Sequence, residues 1–138
     1  MPFPTLTLEL VTLTITVIIN LLLALIVLRT NPNSATNRIF FLLSIFIVLW
    51  LMAAYIVRLP AFVSSIIFLQ RLGIFFAAPI STLFFLLAHT LPSPGIRLNK
   101  KLFTIIIFAT ILMMVLNISP YAFVSGEVIG GVIRPEPG

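Results

Sequence analysis

Few side chains in this sequence could carry chemistry. The 138 residues include eight lysines and arginines, three acidic residues, one histidine and no cysteine. Without cysteine, disulfides, thiol catalysis and thiolate metal sites are excluded, and one histidine with three separated glutamates offers too few ligands for a metal ion. No catalytic triad spacing and no phosphate-binding glycine loop occurs. We therefore expect no enzyme activity, no metal and no cofactor within this chain.

The remaining chemistry is ionic, and its candidate residues are Glu9, Tyr55, Arg58, Gln70 and Arg71. Tyr55 and Arg58 are three residues apart, so they share one face of a helix. Arg71 is expected inside or near a membrane span, where a charge is costly and tends to be paired or functional. Three alternatives follow: an ion pair with Glu9, snorkelling to lipid head groups, or an anion or ligand site with Tyr55, Arg58 and Gln70.

Long uncharged runs must position these residues. The run 39–57 lies between Arg38 and Arg58, and as an α-helix it covers about 29 Å, close to the hydrocarbon thickness of a bilayer. The whole chain is 61% hydrophobic and only 8% charged, which leaves too few polar residues to cover a water-facing surface. The sequence therefore predicts an all-α membrane protein with four transmembrane helices, at about residues 8–28, 39–57, 66–91 and 102–118.

The ends of these helices carry turn-forming and capping residues. Pro2 and Pro4 are expected to keep the first few residues out of the first helix. Thr36 or Asn37, at the end of the turn-forming stretch NPNSATN, is placed to cap the second helix.

The basic residues predict the orientation of the helices. With the N-terminus outside the cytoplasm, the cytoplasmic loops hold Arg29, Arg38, Arg97, Lys100 and Lys101, and the outer side holds Arg58, Arg71 and Arg134. An excess of basic residues marks the cytoplasmic side, so both termini are predicted to lie outside. The net charge of +5 is then explained by loops that face anionic lipid, not by nucleic-acid binding. We expect a multi-pass protein of the inner (cytoplasmic) membrane.

Small residues predict close packing of the third helix. Gly73 and Ala77 are four residues apart, a spacing that lets a neighbouring helix approach closely. Ala53 and Ala54 could supply the matching face. Pro79 removes one backbone hydrogen bond in mid-span and predicts a kink.

Trp50 lies in the middle of the second apolar run rather than at an interface. An indole at this depth is expected to pack between helices or to form the wall of a ligand pocket. Its N–H group needs an acceptor, and the candidates within other spans or its own are Asn20, Ser44, Ser81 and Thr82.

The residues after the helical region 1–118 have a different composition. Glycine, proline and β-branched residues predict an extracytoplasmic tail at 119–138 that forms a small β-hairpin. Its turn and flanking pairs would be Gly130–Gly131, Val128 with Ile133, and Glu127 with Arg134. The chain stops within the exposed stretch RPEPG, so we expect this tail to be a loop cut short.

The order of these features resembles a known family. LLLALIVLR, a polar turn, NRIFFLLSIFIVLW and QRLGIFFAAPISTLFFLLAHTLPSP together resemble the N-terminal seven-helix membrane region of bacterial sensor histidine kinases, of which this chain covers the first four helices. The residues that carry the resemblance are Asn37 and Arg38 at the start of the second helix, Trp50 later in it, and Arg71 and Pro79 in the third helix.

This resemblance implies a signal-input region of a two-component system, which acts as a homodimer and passes an outer or intramembrane stimulus to a cytoplasmic kinase domain. That output domain would lie in sequence beyond this chain, because no phosphoacceptor motif or ATP-binding domain is present here and His89 lies at the end of a span. A small four-helix transporter and a non-catalytic membrane anchor subunit are the alternatives. Against the transporter alternative, the sequence has no acidic residue deep within a span, because Glu9 lies at the edge of one.

Overall fold

Four long helices dominate the fold. The computed structural model describes residues 3–91, 99–119, 123–129 and 132–137. The helices are α1 (Phe3–Thr30), α2 (Ala35–Ile56), α3 (Ile66–Thr90) and α4 (Lys100–Ile118), with a 3-10 helix at Pro60–Ser65 before α3. Each of the four is long and apolar enough to cross a membrane, so the prediction of four helices of membrane-spanning length is confirmed.

The start of α1 differs from the prediction. Helix α1 begins at Phe3 and includes Pro4, whereas the prolines were expected to exclude these residues from the helix. Proline is tolerated in the first turn because the backbone N–H that it lacks has no partner there in any α-helix. Pro2 lies outside the described residues.

Consecutive helices pack against each other along the chain. Helix α1 contacts α2, α2 contacts α3, and α3 contacts α4, with the most extensive contact between α2 and α3. Buried side chains accordingly concentrate on α2, at Ile39, Leu43, Ser44, Val48 and Ala53, while α4 has none. The apolar faces that remain exposed suit a bilayer, where lipid covers them.

A hydrogen bond between side chains joins the last two helices. Thr82 on α3 and Thr110 on α4 lie 2.7 Å apart, oxygen to oxygen, and the Thr110 hydroxyl also lies 2.8 Å from the carbonyl of Ile106.

The start of α4 is capped by Asn99, whose side-chain oxygen accepts a hydrogen bond from the backbone N–H of Lys101 at 3.1 Å.

Two strands follow α4. Strand β1 (Phe123–Ile129) pairs antiparallel with β2 (Val132–Pro137). Glu127 lies opposite Arg134, and Val128 opposite Ile133. The predicted turn residues, Gly130 and Gly131, lie outside the described residues.

The antiparallel helices give the molecule two distinct ends. At the Glu9 end, the start of α1 lies beside the end of α2, and at the Asn37 end, the end of α1 lies beside the start of α2. The described basic residues at the Asn37 end are Arg29, Arg38, Lys100 and Lys101. Arg58 and Arg71 lie toward the Glu9 end.

Candidate functional site

An ion pair joins α1 and α2 at the Glu9 end. Arg58 Nη1 lies 3.6 Å from Glu9 Oε2, and the two side chains are 69% and 49% exposed, respectively. The arginine that meets Glu9 here is Arg58, because α1 packs on α2 and its charged end meets the residue that follows α2; the pair between Glu9 and Arg71 stays a prediction. An exposed pair of this kind contributes less than about 1 kcal/mol, so it holds the two helices together only weakly.

A groove opens between α1 and α2 beside this ion pair. This α1–α2 groove has a volume of about 350 Å³. Its lining residues are Leu8, Glu9, Thr12, Leu13 and Thr16 from α1, and Leu51, Ala54, Tyr55 and Arg58 from the α2 side. Three of the five predicted site residues thus meet in one concave surface: Glu9, Tyr55 and Arg58.

The other two predicted residues lie elsewhere. Gln70 lines a second groove of about 350 Å³, the α2–α3 groove, together with Trp50 and Gly73. Arg71 lies in the second turn of α3, is half-buried, and has its Nε atom enclosed by protein. Neither residue lines the α1–α2 groove, so the structure divides the five-residue site that the sequence suggested.

Trp50 lies at the edge of the α2–α3 contact rather than inside it. Its side chain is 41% exposed and lines the α2–α3 groove. Two of the expected acceptors also act as donors within their own helices: Asn20 donates to the carbonyl of Thr16, and the Ser81 hydroxyl donates to the carbonyl of Ala78. Trp50 is therefore not enclosed by the described residues, and it forms part of the wall of a groove between two helices.

Small residues do line the crossing of α2 and α3. A Cβ atom added at Gly73 would lie 3.9 Å from the Cβ atom of Ala53, and Ala53 is only 4% exposed. Ala77 is half-buried one turn further along α3, and Pro79 is buried inside that helix. Helix α3 is assigned without a break through Pro79, so the proline does not end it.

The Asn37 end holds an arrangement that the sequence did not predict. The Asn37 side-chain NH₂ donates to the carbonyl of Val27 at 2.8 Å and to that of Asn31 at 3.1 Å. The Thr36 hydroxyl donates to the carbonyl of Thr90 at 3.5 Å. These carbonyls lie at or just beyond the ends of α1 and α3, where the last helical C=O groups have no partner within their own helix. The start of α2 is thereby fastened to two neighbouring helices.

The expected capping role of Thr36 or Asn37 is therefore wrong. Helix α2 begins earlier, at Ala35, after an N-cap residue, Ser34, whose side chain makes no capping hydrogen bond. The next residue after Asn37 also holds the turn: the Arg38 Nε donates to the carbonyl of Pro32 at 2.7 Å. An Asn-Arg pair just after a short turn is the sequence signal that could have indicated these bonds.

Neither groove has the ligands that a metal ion needs. Among the described residues, no three histidine, aspartate or glutamate side chains lie close enough together to hold a metal. The chemistry that the α1–α2 groove can offer is a carboxylate, a guanidinium, a phenol and two threonine hydroxyls above an apolar floor. Comparison with known proteins gives no further guide, since no protein-family model, no curated protein and no solved structure matches this chain.

Proposed function

We propose that this chain is the membrane-embedded signal-input region of a bacterial two-component histidine kinase, acting as a homodimer in the cytoplasmic membrane. In this proposal, an outer or intramembrane stimulus changes the packing of the helices, and sequence beyond this chain carries the change to a cytoplasmic kinase domain. The sequence resemblance supplies the class of protein. The geometry of the two helix ends supplies a way in which the region could respond.

The observation that carries the proposal is the contrast between those ends. At the Asn37 end, side-chain hydrogen bonds from Thr36 and Asn37 fasten α2 to α1 and α3. At the Glu9 end, the ion pair between Glu9 and Arg58 is exposed and lies beside an open groove between α1 and α2. A ligand in that groove would separate the helices at the weak end while the fastened end acts as a pivot, which is a hinge motion.

The charge distribution supports a matching orientation. Four basic residues gather at the Asn37 end, where no acidic residue lies among the described residues. Because basic residues are enriched on the cytoplasmic side, this orientation puts the pivot next to the cytoplasm. The α1–α2 groove, the N-terminus and the tail after α4 would then face outward.

The proposal is tested by reading the source DNA beyond Gly138 and assaying the full-length product. We expect an odd number of further apolar spans, followed by a cytoplasmic segment with a phosphoacceptor histidine. In the full-length protein, Glu9→Gln should change autophosphorylation of that histidine, and the control Glu136→Gln should not. A stop codon directly after Gly138 would contradict the proposal, as would equal autophosphorylation of the Glu9→Gln protein and the wild type.

A further inference from the structure

The mouth of the α1–α2 groove carries one charge of each sign. Glu9 and Arg58 lie on opposite sides of the groove, 3.6 Å apart at their nearest charged atoms, and both are about half exposed or more. A weak, exposed pair exchanges readily for other partners. Together the two side chains can receive a ligand that has a cationic group and an anionic group a few atoms apart.

The wall below the mouth offers acceptors of hydrogen bonds. Thr12 and Thr16 line the groove, and their hydroxyls already donate to the carbonyls of Leu8 and Thr12 at 2.9 and 2.8 Å. Each hydroxyl oxygen therefore keeps acceptor capacity but has used its only donor. This arrangement suits a ligand group rich in N–H donors, such as a primary ammonium, on the Glu9 side of the groove.

The rest of the groove is apolar and opens sideways along the helices. Leu13, Leu51 and Ala54 line it below the charges, and Thr16 lies seven residues beyond Glu9, or about 10 Å along the helix axis. A volume of about 350 Å³ is at the small end for a ligand site. It suits a head group and the start of its chain, with the remaining apolar part left in the bilayer.

Another groove between α1 and α2, which we call the uncharged groove, can be compared with the α1–α2 groove. It has a volume of about 330 Å³ and shares Leu13 and Tyr55 with the α1–α2 groove. Its other lining residues carry no charge, and Thr14 is the polar one among them. The charge pair therefore distinguishes one side of the α1–α2 contact from the other.

We propose that the α1–α2 groove binds the head group of a zwitterionic phospholipid with a primary ammonium, phosphatidylethanolamine being the simplest example. The ammonium lies against Glu9 and the acceptor hydroxyl of Thr12, and the phosphate lies against Arg58. The lipid enters sideways from the bilayer and displaces the Glu9–Arg58 pair; that this separates α1 from α2 belongs to the proposed function. This inference rests on the proposed function, because it names the ligand of the same input site.

Native mass spectrometry of the 138-residue chain, released from an uncharged detergent, measures the inference directly. With phosphatidylethanolamine and phosphatidylglycerol in equal amounts, the chain should retain about tenfold more of the former, because a charged hydrogen bond is gained with Glu9. Glu9→Gln should abolish this preference, and Arg58→Gln should lower retention of both lipids. Equal retention of the two lipids by the wild-type chain would overturn the proposal.

Two milder variants keep the test independent of folding. Thr12→Val should weaken retention about threefold through loss of one acceptor, and the matched control Thr14→Val, in the uncharged groove, should have no effect. Helical content by circular dichroism accompanies each variant. Equal effects of the two threonine substitutions would count against the proposed site.

Three other results would also overturn the inference. Displacement of the lipid by an equal concentration of soluble phosphoethanolamine would show that the ligand is water-soluble rather than a lipid. A dimer that retains no lipid would show that a second copy covers the groove. Lipid retention that is unchanged by Arg58→Gln would exclude the phosphate contact. These measurements follow lipid binding and not helix motion, so they test this inference alone. If the lipid binds and the helices do not separate, the proposed function fails and the lipid site stands.

Discussion

Replacing Asn37 with alanine should weaken the contact between α1 and α2 at the Asn37 end. The substitution removes two hydrogen bonds, to the carbonyls of Val27 and Asn31 at 2.8 and 3.1 Å. Hydrogen bonds of this kind within membrane proteins average about 0.6 kcal/mol and reach about 1.7 kcal/mol. We therefore expect the free energy of unfolding to fall by about 1–2 kcal/mol, since the two carbonyls lose a partner from a neighbouring helix.

The assay is unfolding by sodium dodecyl sulfate from mixed micelles, followed by circular dichroism. Asn117→Ala is the matched control, because among the described residues the Asn117 side chain donates to a carbonyl of its own helix, that of Met113 at 2.7 Å. This control should lower the free energy of unfolding by less than about 0.5 kcal/mol. Equal losses in the two variants would refute the idea that Asn37 fastens one helix to another.

Three further predictions concern the other helix contacts. Gly73→Ala should be tolerated, because its Cβ would lie at the ordinary contact distance of 3.9 Å from the Cβ atom of Ala53. Gly73→Leu should lower the free energy of unfolding by about 1–3 kcal/mol through overpacking. Detergent unfolding of both variants checks this. A double-mutant cycle with Thr82→Val and Thr110→Val should show a coupling of about 0.6–1.7 kcal/mol for their shared hydrogen bond, and additive effects would contradict it. Trp50, the only tryptophan and 41% exposed, should be quenched by brominated lipid tails in vesicles, and an emission unaffected by them would show that it is enclosed by protein.

The four helices could be predicted from the sequence because apolar runs long enough to span a bilayer allow few other structures. The residues at which these helices begin could be predicted less well. A proline at the second helical position is compatible with helix, as Pro4 in α1 shows, so proline alone does not set where a helix begins. The residue at which α2 begins, Ala35, was likewise hard to predict, because several residues of the turn could adopt the backbone conformation that starts a helix.

The candidate site was predicted only in part, because sequence does not reveal which helices are neighbours. The sequence alone left open whether Glu9 would meet the arginine after α2 or the one on α3, and the packing of α1 on α2 brings Arg58 to it. Asn37 resembles a capping residue in sequence, yet its side chain reaches the carbonyls that precede it across the turn. Trp50 was expected either between helices or in a pocket wall, and its depth in the span could not decide between them, because depth along a helix does not determine which face a side chain occupies.

In the proposed function, the helices pivot about the Asn37 end and open at the Glu9 end. The absence of native cysteine allows pairs of spin labels at chosen positions. One pair, Leu8→Cys with Phe62→Cys, reports on the Glu9 end, and a second, Ile26→Cys with Leu42→Cys, on the Asn37 end; all four side chains are exposed.

Electron paramagnetic resonance distances in lipid nanodiscs, with and without Glu9→Gln, measure this pivot. The substitution removes the one ion pair that joins α1 to α2 among the described residues. We predict a longer and broader distance distribution at the Glu9 end and an unchanged distribution at the Asn37 end. Equal changes at both ends, or no change at either, would contradict the pivot and with it the proposed route of signal input.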